Sequence, residues 1–396
     1  MSCRSAMFKK LLSPVRLAIT LSFAVAVLLW PCIALGQSYQ TYFNDPHDPA
    51  REYVIEDAFL DLIDNATSTI DLTIYNINQQ NIINKLVDWH NGSSQVARLV
   101  TNLKPDDSNY NTYIQQLIDD GISVTYDPSS TLSHNKFAVF DSTTVWTGSW
   151  NHTGSASYYQ WNNAISIQNA DLVSGYETEF NQMFAGTFHG SKSQVEGYFA
   201  LGGGSANDFY RMSPQNSGTT TQQHIVNEID ATVSGGKIFF AIYSFTDDAV
   251  SQALQDAHDR GVTIRGIFDK GKSDEAGGEY QDLLDYGIDV FFLADDAGNP
   301  FNPYIHHKYM VINPSGTDAV TITGSANWSN VALVSASGND ENTLIIHNSG
   351  LASLYYSNWG HMDGGGAIPE PSTIILLVFG SSAAVVLRFR WMSRHH

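Results

Sequence analysis

Cysteine and positive charge are both scarce in this sequence. Of 396 residues only Cys3 and Cys32 are cysteine, and both lie in an N-terminal stretch that reads as removable. A chain trimmed near Gln37 would hold neither, which excludes a disulfide framework and a cysteine-ligated metal. Lysine and arginine number 20 against 40 aspartates and glutamates, a formal net charge of −20. Seven of the basic residues are terminal: Arg4, Lys9, Lys10, Arg16, Arg388, Arg390 and Arg394. Residues 1–36 and 371–396 carry no acidic side chain, so the middle holds 13 basic against 40 acidic groups, a net of −27. Non-specific nucleic-acid binding rests on neutralising phosphates with Lys and Arg. The field of such a surface disfavours polyanions, although a local basic patch would escape the argument. No spacing of Asp, Glu or His matches a metal-binding loop, and no cofactor is expected.

Long apolar runs are confined to the two ends. Four basic residues precede an apolar stretch from Leu17 to about Leu35, and Ala34-Leu35-Gly36 is a small-x-small cleavage site. Residues 1–36 therefore read as a secretory signal peptide, with an uncleaved anchor as the alternative. At the other end Gly364–Gly366 precede Pro369-Glu370-Pro371, an apolar run from Ile374 to Leu387 and an arginine cluster. Counting Thr373 to Trp391, the run nearly reaches the roughly 20 residues of a spanning helix, and the arginines favour a cytoplasmic C-terminus. This order resembles the PEP-CTERM sorting signal of Gram-negative bacteria. The resemblance implies membrane anchoring in transit, processing by an exosortase-type enzyme, and delivery to the cell surface or extracellular space. A plain C-terminal anchor is the alternative.

Two stretches between these ends carry the same parts in the same order. One is Ser133–Asn151 and the other Ile305–Asn327. Each has a His and a Lys two apart (His134 and Lys136; His306 and Lys308), an apolar run, a turn, and Gly-Ser-x-Asn (Gly148, Ser149, Asn151; Gly324, Ser325, Asn327). Alternate residues of a strand share a face, so each His and Lys point the same way. Glycine lets backbone approach closely, and Ser and Asn add short hydrogen-bonding groups. Two copies face to face would cradle a phosphodiester. Without a metal, its cleavage needs a nucleophile for phosphorus, positive charge on the non-bridging oxygens and an acid for the leaving oxygen.

The arrangement resembles the phospholipase D superfamily, whose signature is HxKxxxxD followed by GSxN. The first copy matches throughout, with Asp141 closing it. The second departs once, with Asn313 at the Asp position, where Asn313-Pro314 can still turn the chain. The resemblance implies a covalent phosphohistidine intermediate, then attack by water or an alcohol, and no metal requirement. In this scheme His134 and His306 are nucleophile and acid. Lys136, Lys308, Ser149, Asn151, Ser325 and Asn327 hold the phosphate, and Asp141 and its counterpart Asn313 serve structure. The family also places an acidic residue about 30 positions after each HxK histidine, reaching the histidine of the other half. Glu341 fills that place in the second half; Asn162 stands there in the first. Crossed pairing would put Glu341 on His134 and leave His306 facing an amide, which favours His134 as nucleophile. Asp340 is a further carboxylate that could compensate.

The halves align along their length. Helix-like stretches (Val54–Asn65; Gln223–Val233), buried-looking strands ending in Tyr75 and Tyr243, further helices and further strands lead in turn to the two HxK stretches. Strands alternating with helices imply crossovers and parallel pairing. The expected class is α/β: two duplicated α/β/α domains, each a mixed, mostly parallel sheet flanked by helices. The expected divisions are 1–36 signal peptide, 37–190 first half, 191–207 linker, 208–362 second half and 363–396 sorting signal. One chain would complete the site as a monomer. Tyr75 and Tyr243 read as core filling beside the site, and His152 as structural. His307 should point away from the site. Trp146, Trp150, Trp161 and Trp328 read as packing, or as an apolar wall near the GSxN turns. The loop Asp295–Tyr304 would line the mouth. Functionally, the sequence supports an exported phosphodiesterase acting on phospholipid head groups. A metal-independent nuclease on the same fold and a catalytically weak surface binding protein are the alternatives.

Overall fold

The two halves lay down the same strands in the same spatial order. The computed structural model describes residues 39–364, apart from 93, 202–206, 215–216, 273–274 and 294–303. The expected signal peptide, the sorting signal from residue 365 onward, and nearly all of the Asp295–Tyr304 loop lie outside the described residues. The first half contains β1 (Tyr39–Phe43), β2 (Thr69–Ile74), β3 (Val96–Thr101), β4 (Ser123–Tyr126), β5 (Lys136–Phe140), β6 (Thr144–Gly148), β7 (Gln160–Trp161) and β8 (Asn163–Gln168). All but β7 form one sheet, in the order β1-β8-β6-β5-β2-β3-β4. The second half contains β9 (Glu196–Phe199), β10 (Asp208–Ser213), β11 (Lys237–Ile242), β12 (Thr263–Phe268), β13 (Asp289–Phe292), β14 (Tyr304–Ile305), β15 (Lys308–Ile312), β16 (Val320–Gly324) and β17 (Glu341–Ile346). Its sheet runs β13-β12-β11-β15-β16-β17-β10-β9. Read from the opposite end, and without β9, it repeats the first. The segment expected as a linker thus supplies β9, an extra edge strand paired with β10.

The mixed α/β class is as expected, but the balance of pairings differs. Parallel ladders join only β2, β3 and β4 and their counterparts β11, β12 and β13. The remaining pairings within the two sheets are antiparallel. The reason is connection length. Parallel neighbours need a crossover, and the helices Gln80–His90 and Asp248–Asp259 provide one in each half. Each HxK strand instead returns through a short turn into the strand that ends at GSxN, and a short turn makes an antiparallel pair.

The HxK strands are buried on both faces, with a period of two. Phe137 and Val139 of β5, and Tyr309 and Val311 of β15, enter one central core shared by both halves. The helices Ala170–Phe184 and Ser349–Met362 supply Tyr176, Phe180, Tyr355 and Trp359 to it. Ala138 and Phe140 face a second core, and Met310 and Ile312 a third. Trp146, Trp150, Trp161 and Trp328 are each no more than 2% exposed, which makes them packing and not a wall.

Asp141 and Asn313 close the HxK strands with left-handed backbone, at φ 53° and 45°, a conformation that Asp and Asn tolerate better than most residues. The Asp141 carboxylate accepts from the N–H groups of Thr67, Ser68 and Thr69 at 2.7, 2.7 and 3.0 Å. Burial raises its pKa, but these bonds outweigh burial and hold it at about 2. Asn313 Oδ1 accepts from Lys237 N–H at 2.8 Å, while its Nδ2 donates to Asp318 at 2.6 Å. An Asp at 313 would meet that neighbouring carboxylate, so the departure from the motif suits its surroundings.

The glycine of each GSxN has a steric reason. A Cβ on Gly148 would lie 2.2 Å from the Asn163 carbonyl oxygen, and one on Gly324 the same distance from that of Asn342. These contacts press the GSxN turns onto the starts of β8 and β17. Gly148→Ala is expected to destabilise the fold by about 1–3 kcal/mol through overpacking, read as a lowered denaturant midpoint with an unchanged slope. An unchanged midpoint would show that the turn yields freely.

Candidate active site

Each half reaches across to the histidine of the other through backbone first. Ser133 pairs with Asp340 in an isolated parallel bridge. His134 N–H donates to Asp340 O, and Asp340 N–H to Leu132 O, both at 2.9 Å. In the other wing β14 pairs with β7, and His306 N–H donates to Trp161 O at 3.0 Å. The residue after each bridge, Glu341 or Asn162, is thereby set beside a histidine of the opposite half.

His134 Nδ1 lies 2.7 Å from Glu341 Oε1, and His306 Nδ1 lies 2.8 Å from Asn162 Oδ1. The Asn162 amide is oriented by its own bonds: Nδ2 donates to Ala156 O at 3.0 Å and Oδ1 accepts from Ser149 Oγ at 2.8 Å. Both histidines therefore donate from Nδ1, one to a carboxylate and one to an amide, which leaves Nε2 for chemistry. Lys136 Nζ donates to the His134 carbonyl at 2.7 Å and Lys308 Nζ to the His306 carbonyl at 2.8 Å. Tyr75 and Tyr243 cover the pairs, each ring 4.9 Å from its histidine. The Lys136 and Lys308 Nζ atoms stand 5.3 and 4.9 Å from those rings. The tyrosines thus line the site, where the sequence had suggested core filling.

The GSxN serines need correction. Ser149 and Ser325 were expected on the phosphate, but both are fully buried and their hydroxyls bond the residues that hold the histidines. Ser325 Oγ donates to Glu341 Oε2 at 2.6 Å and accepts from Asn342 N–H at 3.0 Å. Ser149 Oγ does the same between Asn162 and Asn163 N–H. Their single hydroxyl proton is committed to orienting the residue that holds each histidine. Asn151 and Asn327 differ, each with a buried Oδ1 that has no hydrogen-bond partner. Asp340 does not serve His306; Lys192 Nζ lies 2.7 Å from its Oδ1. His307 points away from the histidine pair, with Nδ1 3.1 Å from Asn163 Oδ1. His152 is buried against Phe59 and Trp150, and burial pushes it down to about 3.

Sequence reasoning missed the polar stitches under the site. Asn163 Nδ2 donates to Thr323 Oγ1 at 2.9 Å, and Asn342 Nδ2 to Asn135 Oδ1 at 3.0 Å. Thr147 Oγ1 donates to Asn342 Oδ1 at 2.6 Å. These bonds join the halves, and their signal was available as the asparagine that follows both Asn162 and Glu341.

Burial dominates the electrostatics. It lowers Lys136 to about 7 against the pull of Glu341. Burial, then Lys136, lowers Lys308 well below its usual range. Burial lowers His134 to about 4, with Lys136 and Lys308 adding and Glu341 opposing. Burial followed by Lys308, Lys136 and His134 keeps His306 neutral as well. Burial raises Glu341, but His134, Lys136 and the Ser325 hydroxyl outweigh it and keep the carboxylate ionised. A site with two lysines, two imidazoles and one carboxylate is built for an anion, within a chain of net charge −20.

The family described as "Cardiolipin synthase, PLD-like domain" matches residues 59–184 and 225–362, covering both copies of this geometry. The chain belongs to that family. Curated relatives of this phospholipase D-like protein include "Mitochondrial cardiolipin hydrolase" of Mus musculus, 31% identical over 114 residues, or 29% of this chain and 46% of that protein. "Phospholipase D" of Rickettsia conorii is 28% identical over 135 residues, 34% of this chain and 60% of that one. The chain thus spans about half the length of the curated relatives it matches. The phosphatidylserine synthase of Haemophilus influenzae superposes with TM-score 0.59 at 13% identity, over 85% of this chain and 87% of that one. Polyphosphate kinase of Porphyromonas gingivalis gives 0.56 at 14% identity, over 82% and 50%. These two likenesses show a shared fold.

The pKa directions give an expected pH profile. Since kcat/KM reports the free enzyme, it should fall below about pH 4, where His134 takes up a proton. It should also fall above about pH 7, where Lys136 loses its charge. The profile is measured on a small phosphodiester; an alkaline limb near the ordinary lysine value would show that the lysines stay hydrated.

Proposed function

We propose that this phospholipase D-like protein hydrolyses phospholipid head-group phosphodiesters through a phosphohistidine on His134. The carrying observation is the crossed pairing of His134 with Glu341 and of His306 with Asn162. Lys136, Lys308 and the amides of Asn151 and Asn327 hold the non-bridging oxygens. His134 Nε2 attacks phosphorus as the bond to the head-group oxygen breaks. His306 supplies the proton to that oxygen, having gained it as the substrate's negative charge offsets the two lysines. Water, giving its proton back to His306, then attacks phosphorus and releases His134. Glu341 supports the charge that develops on His134, and His306, with only an amide behind it, parts with its proton more readily.

The lipid substrate is favoured by the acidic chain, which repels polynucleotides, and by the lipid-directed names of the relatives. The same reading places the protein outside the cytoplasm. Residues 1–36 act as the export signal, and the segment from 363 anchors it in the inner membrane until a sorting enzyme releases it to the cell surface. Among the described residues no helix is long and apolar enough to cross a membrane.

The test incubates the full-length chain, in EDTA, with phospholipid vesicles, bis(p-nitrophenyl) phosphate and supercoiled plasmid. Head-group release is expected, and His134→Ala should lower it by at least about 10⁴-fold, as expected for loss of a nucleophile. Plasmid cleavage without head-group release would make it a nuclease. Binding of vesicles without turnover would make it a surface binding protein.

A further inference from the structure

A second ionic cluster lies directly behind Glu341, and the chemistry above does not use it. At its centre is His189, in the short turn His189–Ser191 after the helix Ala170–Phe184, with left-handed backbone at φ 53°. Its Nε2 lies 2.7 Å from both Asp127 Oδ2 and Ser129 Oγ. Its Nδ1 lies 3.0 Å from the Gly338 carbonyl oxygen and 3.4 Å from Asp340 Oδ2. Its backbone N–H donates to Asp340 Oδ1 at 2.9 Å. Lys192 bridges Asp340 and Glu179 beside it. A carbonyl oxygen and a carboxylate only accept, so hydrogen on both ring nitrogens satisfies these partners, with the Ser129 hydroxyl donating to Thr131 O at 3.0 Å.

The cluster bonds to a short segment next to the site. Gly338 and Asp340, which His189 holds, precede Glu341. The Asp340 backbone is also the one that pairs with Leu132 and His134. In the other wing an indole, Trp161, takes the place of Asp340, between the rings of His47 and His361 at 5.6 and 5.8 Å. The other wing has an ion pair too, His361 Nε2 to Asp45 Oδ2 at 2.9 Å, but it meets Trp161 through a ring contact, whereas His189 bonds the segment before Glu341 directly. His189, Asp127, Ser129 and Ser337 line a groove of about 720 Å³, through which solvent reaches the ring.

We propose that His189 is a positioning residue for phosphoryl transfer: as an imidazolium it fixes the 338–341 segment and thereby seats Glu341 on His134. This rests on the phosphodiesterase reading above. The charged groups facing His189 are Asp127 and Asp340, with Lys192 and Glu179 behind. Asp127 and Asp340 face the two cations, burial raises Glu179 to about 7 against the pull of Lys192, and deprotonation of His189 would leave Lys192 as the one cation beside them. Burial lowers the His189 pKa, but the Asp127 hydrogen bond and the Asp340 charge outweigh it and raise the pKa above its ordinary value. The brace is therefore complete below the ordinary histidine range and is lost as pH rises through the raised value. With KM unaffected, the loss should appear in kcat as well as in kcat/KM, and a shift of the limb in Asp127→Asn distinguishes it from the lysine limb.

The test uses the full-length chain, with kcat against pH on bis(p-nitrophenyl) phosphate and nitrogen NMR of the histidine rings. In the unmodified protein both His189 nitrogens should be protonated at pH 6, and kcat should decline with the midpoint of that ring. Asp127→Asn keeps the side-chain shape and should lower both midpoints by about one pH unit or more, with acid-plateau kcat and KM within about twofold. His189→Gln should lower kcat about tenfold with KM unchanged, and abolish the alkaline limb. Rescue by His189→Lys, with a limb moved to higher pH, would support the role of charge. A kcat limb that stays put in Asp127→Asn while the ring midpoint moves overturns the proposal, as does a singly protonated ring at pH 6. If no phosphodiester is turned over, the phosphodiesterase reading fails instead. The NMR then decides alone: the His134 Nδ1 resonance must shift with the His189 midpoint, and an indifferent His134 overturns the brace.

Discussion

Two lysines and two histidines are nearly buried around a single fully buried carboxylate, and the rest of the fold answers to that excess of positive charge. Burial of a charge is costly unless a partner offsets it. Glu341 offsets part, and the carbonyls of His134 and His306 take the lysine protons as hydrogen-bond acceptors. The remainder is answered by neutralisation, since burial lowers both lysines and both imidazoles. An anionic ligand would bring the missing negative charge, so the site has an affinity for anions that the acidic surface does not advertise.

Maintaining that arrangement requires the halves to be locked together at the level of hydrogen bonds. The central core contains side chains from both sheets, and the asparagine stitches run from each half into the other. Neither half could hold its histidine without the other, because the orienting residue for each arrives from across the interface. The buried serines of GSxN extend this logic by one layer: each fixes the group that fixes a histidine.

Much of this was legible in the sequence, and the parts that were not share a cause. The strand order repeats because the residue pattern repeats, and HxK with GSxN located both histidines and both lysines. The crossed placement of Glu341 and Asn162 followed from resemblance. What the pattern could not supply was depth. Ser149 and Ser325 have the chemistry of phosphate ligands, and only the packing of Gly148 and Gly324 against the next strand buries them. Tyr75 and Tyr243 end buried-looking strands, which suggested core filling. Their position just past the last ladder residue turns them over the histidines instead. Parallel pairing was overestimated because helices between strands are conspicuous, whereas the hairpins at the HxK turns leave a weaker trace. The His189 cluster gave no sequence signal, since Asp127, His189 and Asp340 are distant in the chain and belong to no motif.

The crossed bridges carry a consequence for how such a site can evolve. If each half were a separate chain meeting a second copy of itself, any residue would occur twice, and a carboxylate behind one histidine would be a carboxylate behind both. Covalent fusion of the copies removes that coupling. One wing can retain Glu341 with an ionic brace while the other drifts to Asn162 with an indole, and the two histidines become chemically unequal without any change in the backbone they share. The duplicated chain is thus a way to break symmetry at one position while every other constraint of a symmetric pair is kept.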